Sequence, residues 1–265
     1  MKRHCVFCAL LSVLVCAASF SPASAGELTV FAAASLQKAL EELSSLYRKD
    51  SAAELSFNFD SSGTLRTQIL EGAPCDLFIS AAQKQMNELE KAGMIDSASR
   101  LNLLQNSVVL AVPQDNPVRI LSHGDLKSER LTLIALGNDD VPVGAYSREI
   151  LSGLGLWDHL KDSHRISFGS NVTEVAIQVR EGTADCGMVY STDAAAHGLK
   201  VAEVFPASLL KKPVVYPAAV MKNSLHEGEA KRFLAFLCSP EAAQIFRKAG
   251  FMPVEGSSGR GGKDR

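Results

Sequence analysis

Several familiar classes are excluded by what this 265-residue sequence lacks. It has no dense cluster of Lys and Arg, and its formal net charge is −2. A nucleic-acid binder normally carries a basic patch, so that partner is not expected. Cys75, Cys186 and Cys238, the three cysteines beyond residue 25, form no CxxC pair and no Cys/His metal spacing, which argues against a zinc site or a dithiol redox centre. No GxSxG elbow presents a serine as a hydrolase would. His123, His159, His164, His197 and His226 stand in loops or at helix ends without a partner pattern, as surface histidines do. No enzymatic activity and no cofactor are expected.

Long hydrophobic runs are also scarce. Only Val6 to Ala18 is almost continuously apolar, behind Lys2 and Arg3 and ahead of Ala23-Ser24-Ala25. A positive start, a short apolar core and a small-x-small site read as a secretory signal peptide over residues 1–25. The run is shorter than the roughly 20 residues of a membrane-spanning helix, so an exported, periplasmic, soluble chain is expected. A competing reading uses Cys16 as a lipidation site, although the bulky Val15 precedes it. Without residues 1–25 the chain keeps 25 Lys plus Arg against 29 Asp plus Glu, a net of −4. Cys75, Cys186 and Cys238 remain, either as buried thiols or with two of them bridged. The last residues, Glu255 to Arg265, lack apolar side chains and read as a flexible tail.

Between these ends short apolar runs alternate with helical patterns. Strands are predicted at Leu28–Phe31, Leu55–Phe59, Asp76–Ser80 and Val108–Val112, with helices at Leu36–Lys49, Thr64–Glu71 and Gln83–Ala92. The order then repeats. Strands at Leu131–Leu136, Arg165–Phe168 and Cys186–Tyr190 enclose helices at Tyr146–Leu154 and Glu174–Arg180. A long strand, Val214–Val220, and helices at Glu229–Phe236 and Glu241–Lys248 close the chain. This alternation indicates α/β architecture with mostly parallel sheets. Two similar lobes are expected, residues 26–107 with 219–254 and residues 108–218, joined by two extended segments and separated by a cleft. Clefts between domains are favoured ligand sites.

Four strand-to-helix junctions share one chemistry: Ala32-Ala-Ala-Ser35-Leu, Asp60-Ser-Ser62-Gly-Thr, Val141-Pro-Val143-Gly-Ala and Ser170-Asn-Val172-Thr-Glu. Each offers unpaired backbone N–H groups at a helix start, together with the positive end of the helix dipole. That combination binds anions. None of the four contains Lys or Arg. Fixed neutral donors can hold a dianion if enough of them converge in a site shielded from water. On composition and spacing alone, Ser35, Ser61 and Ser62 read more simply as plain N-caps.

Five segments bear on that choice. FAAASL at Phe31–Leu36, GAPCDLFISA at Gly72–Ala81, NSVVLAVP at Asn106–Pro113, VPVGAYSREIL at Val141–Leu151 and GMVYSTDA at Gly187–Ala194 closely resemble the periplasmic molybdate-binding proteins of ABC transporters. The likeness runs from about Leu28 to Phe251, with the motifs in the family's order. It implies the two-lobed periplasmic-binding-protein fold, with molybdate or tungstate enclosed between the lobes. It also implies donors from the hydroxyls of Ser35 and Ser62, the backbone N–H groups of Val143 and Val172, and the phenol of Tyr190. The metal would be reached only through its oxygens, with no direct protein ligand. A monomer that passes its cargo to an ABC permease is the expected assembly. Gly63 stands where the family often has a third serine, and Val143 where alanine is common.

The nearest rival keeps the fold and changes the anion. Phosphate carries a proton at neutral pH and wants an acceptor, which Asp60, Asp139 or Asp140 could supply. These three are read as solvated loop residues. Sulfate is fully deprotonated, like molybdate, but smaller.

Overall fold

The computed structural model describes residues 27–254. The expected signal peptide, Cys16 and the tail from Glu255 lie outside the described residues.

Eleven strands are described: β1 (Leu28–Ala33), β2 (Leu55–Asp60), β3 (Leu77–Ile79), β4 (Leu101–Gln105), β5 (Val108–Val112), β6 (Ile134–Gly137), β7 (Ile166–Gly169), β8 (Cys186–Tyr190), β9 (Lys200–Val204), β10 (Val215–Val220) and β11 (Met252–Pro253). Among them run helices α1 (Gln37–Tyr47), α2 (Ser62–Leu70), α3 (Gln83–Lys91), α4 (Pro142–Gly153), α5 (Trp157–Asp162), α6 (Val172–Arg180), α7 (Ser191–Ala196), α8 (Glu227–Leu237) and α9 (Pro240–Lys248). A short 3₁₀ turn, Ala34–Leu36, leads into α1.

The strands form two sheets, ordered β11-β4-β10-β3-β1-β2 and β7-β6-β8-β5-β9. The repeat expected from the sequence is visible in their topology. In the first lobe β2, β1 and β3 are parallel, with β10 antiparallel beside β3. In the second, β7, β6 and β8 are parallel, with β5 antiparallel beside β8. The sheets are therefore mixed, each a parallel core extended by antiparallel strands.

The two long apolar strands lie inside the sheets, and the chain changes lobe just before each. Asn106 and Ser107 connect β4 to β5, and residues 205–214 lead from β9 to β10. Strand β10 pairs with β3 and β4 over its length. A lobe boundary at 219 would cut this strand, so the return to the first sheet falls before Val215. Pro217 cannot donate to a ladder, and the β10/β4 register shifts at Tyr216/Pro217.

Local chemistry accounts for the element ends. Helix α1 buries Ala39, Leu40, Leu43 and Tyr47, the stripe that a 3.6-residue period requires. Gly72 and Gly93 follow α2 and α3 with φ of +93° and +72°, left-handed stops that suit glycine. Strand β5 is buried on both faces, as its unbroken apolar run implies. One hydrophobic cluster runs through both lobes. A smaller one packs Leu65, Ile69, Met86 and Leu89 of α2 and α3 against Phe31 and Phe78.

Of the helices that start earlier than apolar periodicity indicates, three bear on the site: α2 at Ser62, α4 at Pro142 and α6 at Val172. Proline is well tolerated there, because a first-turn N–H has no intrahelical acceptor. The earlier starts place Ser62, Val143 and Val172 within first turns, where backbone donors are unpaired.

Candidate functional site

The starts of α2, α4 and α6 and the 3₁₀ turn before α1 converge on one cavity between the lobes. Its wall includes Ser35, Ser62, Val143, Val172 and Tyr190, so all five candidates meet in one place. The free space between these residues is only about 10 Å³, far below the roughly 300–1,000 Å³ of pockets for organic ligands. No Lys or Arg lies on the cavity wall.

The serines divide by role. Ser61 is the N-cap of α2, and its Oγ accepts from Thr64 N at 3.0 Å. Ser62 is not a cap. Its buried Oγ accepts from Ala81 N at 2.9 Å, which leaves its hydroxyl proton for another acceptor. Ser35 is not a cap either; the 3₁₀ turn begins after Ala33, without side-chain capping. The Ser35 hydroxyl lies 2.9 Å from that of Tyr216. If Tyr216 donates to Ser35, the serine proton also remains free.

Two backbone donors come from the second lobe. Pro142 has no N–H, so Val143 supplies the first one of α4. Asn171 caps α6 by accepting from Glu174 N at 3.0 Å, and leaves the Val172 N–H at the first helical position. Among the described residues neither N–H finds a backbone acceptor in a loop or turn.

Tyr190 ends β8 with its ring buried, 5.7 Å from the Tyr216 ring in edge-on contact. Its hydroxyl reaches the Ala81 carbonyl of the other lobe only at 3.5 Å, the edge of hydrogen-bonding range. Burial, and then the neighbouring Tyr216, hold the Tyr190 phenol well above its ordinary pKa. It therefore stays a neutral donor. Burial raises Tyr216 in the same sense.

Two residues of this region went unrecognised in the sequence. Tyr216 backs Ser35, and Asn106, in the first connection between lobes, ties the region together. The Asn106 amide donates to Thr192 Oγ1 at 2.9 Å and Tyr216 OH at 3.3 Å, while its oxygen accepts from Ser191 Oγ at 2.9 Å. A tyrosine within an aliphatic strand was the available signal, because a buried phenol needs a polar partner.

Asp60 departs from the solvated reading, since it is half-buried and lies on the cavity wall. Its Oδ1 accepts from Ser61 N at 2.6 Å and from Asn171 Nδ2 at 3.3 Å. The Asp139 and Asp140 side chains are exposed, although the Asp140 carbonyl accepts from Gly63 N across the cleft at 3.1 Å.

No disulfide forms among the described residues, and burial pushes the Cys75 thiol up to about 12, away from the reactive thiolate. Among the described residues no group of His, Cys, Asp and Glu could hold a metal ion, and no helix is long and apolar enough to cross a membrane.

Comparison with known proteins gives the arrangement a context. The profile of the bacterial extracellular solute-binding protein family matches residues 28–252. A putative ABC transporter substrate-binding lipoprotein, YvgL of Bacillus subtilis (strain 168), is 39% identical over 94% of this chain and 98% of its own. The molybdate-binding protein ModA of Escherichia coli (strain K12) is 38% identical over 86% of this chain and 90% of its own. The solved periplasmic molybdate-binding protein of Azotobacter vinelandii superposes with a TM-score of 0.76 at 27% identity, covering 85% of this chain and 98% of that one. With two mixed-sheet lobes meeting at a small cavity, and a family match spanning nearly every described residue, the chain belongs to the bacterial extracellular solute-binding proteins.

Proposed function

We propose that the protein captures molybdate outside the cytoplasm and delivers it to the permease of an ABC transporter. The observation that carries the reading is the set of donors around the cavity. Ser35 and Ser62 are serines at helix starts that do not cap, and they share one wall with the first-turn N–H groups of Val143 and Val172 and the neutral phenol of Tyr190. Three hydroxyls and two helix-start amides suit a fully deprotonated tetrahedral dianion, which accepts at every oxygen and donates at none. Fixed neutral donors in a buried site bind such an ion without ordering a long cationic side chain.

The molybdate-binding relatives support the choice of anion. Tungstate offers the same charge and geometry and is proposed as a second ligand. The same reading takes the chain as a monomeric binding protein, exported to the periplasm by its first 25 residues. Its lobes are then residues 27–107 with 215–254, and the segment between.

Asp60 on the cavity wall favours one rival, a protonated oxyanion such as hydrogen phosphate, which could donate to it. A thermal-shift series with molybdate, tungstate, sulfate and phosphate separates the readings. A ligand at a thousandfold its Kd stabilises the folded state by about 4 kcal/mol. Molybdate and tungstate should shift the transition strongly, and sulfate and phosphate little. A shift with phosphate equal to that with molybdate would reassign the site.

A further inference from the structure

We propose that Gly63 is a positioning residue for ligand retention: it lets the two lobes clasp directly over the cavity and so sets how slowly the bound oxyanion leaves. The inference rests on the function proposed above.

Gly63 follows Ser62 in the first turn of α2, where its N–H has no partner within the helix. That N–H donates to the Asp140 carbonyl of the second lobe, at 3.1 Å. A Cβ on Gly63 would lie 2.2 Å from the same carbonyl oxygen and 2.8 Å from the Asp140 carbonyl carbon. No side chain fits at such distances.

The loop carrying Asp140 cannot easily yield. Asp140 N donates to Asn138 Oδ1 at 2.9 Å, Val141 N to Asn138 O at 3.1 Å, and Asn138 N to Gly169 O at 3.0 Å. Gly63 has an ordinary helical backbone, outside the left-handed region. The space that this chain leaves here therefore demands glycine, and it is limited by the opposite lobe. A side chain at this position penalises the closed arrangement and leaves the open one undisturbed.

A second contact lies beside the first. Asn171 Nδ2 donates to Asp60 Oδ1 across the cleft at 3.3 Å. Asn171 directly precedes Val172, and Asp60 stands two residues before Ser62. Both contacts thus join the backbone segments that carry candidate ligand donors. When they part, Ser62 and Val172 separate and water reaches the anion.

Stopped-flow displacement of bound molybdate tests this on the whole protein. Gly63→Ala should dissociate at least tenfold faster than wild type, with association unchanged within about threefold. Its ligand-free unfolding temperature should not fall, because alanine favours helix over glycine. Dissociation within twofold of wild type would overturn the proposal.

Asn171→Asp keeps the α6 cap but sets a carboxylate against Asp60, so it too should speed release. Asp60→Asn in that background should reduce the penalty at least fivefold in a double-mutant cycle. Equal penalties in both backgrounds would overturn the clasp even if Gly63→Ala failed to fold. If wild type bound no molybdate, the ligand assignment would fail separately. Small-angle scattering of the ligand-free proteins would then decide, a more open Gly63→Ala form supporting the clasp and an identical profile overturning it.

Discussion

A serine at a helix start can cap the helix or turn its hydroxyl elsewhere, and neighbouring residues here do each. Ser61 satisfies Thr64 N, whereas Ser62 accepts from Ala81 N and keeps a proton to donate. Ser61→Ala should therefore cost about 1 kcal/mol of folding stability, as a lost cap does. Ser35→Ala, Ser62→Ala and Tyr190→Phe should each weaken molybdate binding by about 1.5–3 kcal/mol, the worth of a hydrogen bond to a charged group. Calorimetric titration reads the loss, and affinities within twofold of wild type in all three would remove these residues from the site. The partners of Tyr216 and Asn106 were illegible in the sequence because they are remote, Ser35 lying 181 positions from Tyr216. A buried residue near the site also titrates. Asp193 is buried with Oδ2 lacking a partner among the described residues, and burial raises its pKa from 3.8 to about 8. Between those values the folded chain holds a proton that the unfolded chain releases. Folding stability from this group therefore falls as pH rises through the window, by up to about 1.4 kcal/mol per unit, and levels off above pH 8. Asp193→Asn should gain on wild type steadily between pH 5 and 8 in urea denaturation. A difference that does not change with pH would show that Asp193 does not titrate there.

Helix starts carry the site, and they were also the part of each helix least visible in the sequence. The starts that apolar periodicity indicates for α2, α4 and α6, Thr64, Tyr146 and Glu174, lie inside the actual helices. Turn chemistry marked the true starts better, through Ser61, Pro142 and Asn171. Strands β5 and β8 were legible to the residue because they are buried on both faces. Strand β9 was missed because Lys200–Val204 is largely exposed and mixes charged with apolar residues. At α6 the account predicts that the backbone, and not the side chain, binds. Asn171 is extended, with φ −151° and ψ 172°, a conformation compatible with a following proline. Val172→Pro should fold and lose about 1.5–3 kcal/mol of affinity by removing an N–H to a charged ligand. Val172→Ala empties part of a buried position, costing about 1–3 kcal/mol of stability, and should bind nearly as wild type does. A folded proline variant with wild-type affinity would remove this amide from the donor set.

At the scale of the molecule, the repeated strand-helix pattern in the sequence corresponds to two sheets with the same parallel core and one antiparallel neighbour each. The pairing of lobes across the cleft was not legible, since contacts such as Gly63 to Asp140 involve backbone atoms of segments distant in sequence. On the proposed reading, closure follows from the division of donors. Ser35 and Ser62 belong to the first lobe, and Val143, Val172 and Tyr190 to the second, so one anion engages both sets only when the cleft is shut. The most direct test of this account is a crystal structure of the molybdate-saturated protein, with molybdenum located by its anomalous scattering. The account predicts one strong peak inside the cavity, its oxygens within hydrogen-bonding distance of Ser35, Ser62, Val143, Val172 and Tyr190. A peak elsewhere, or a saturated protein whose cavity holds no molybdenum, would contradict it.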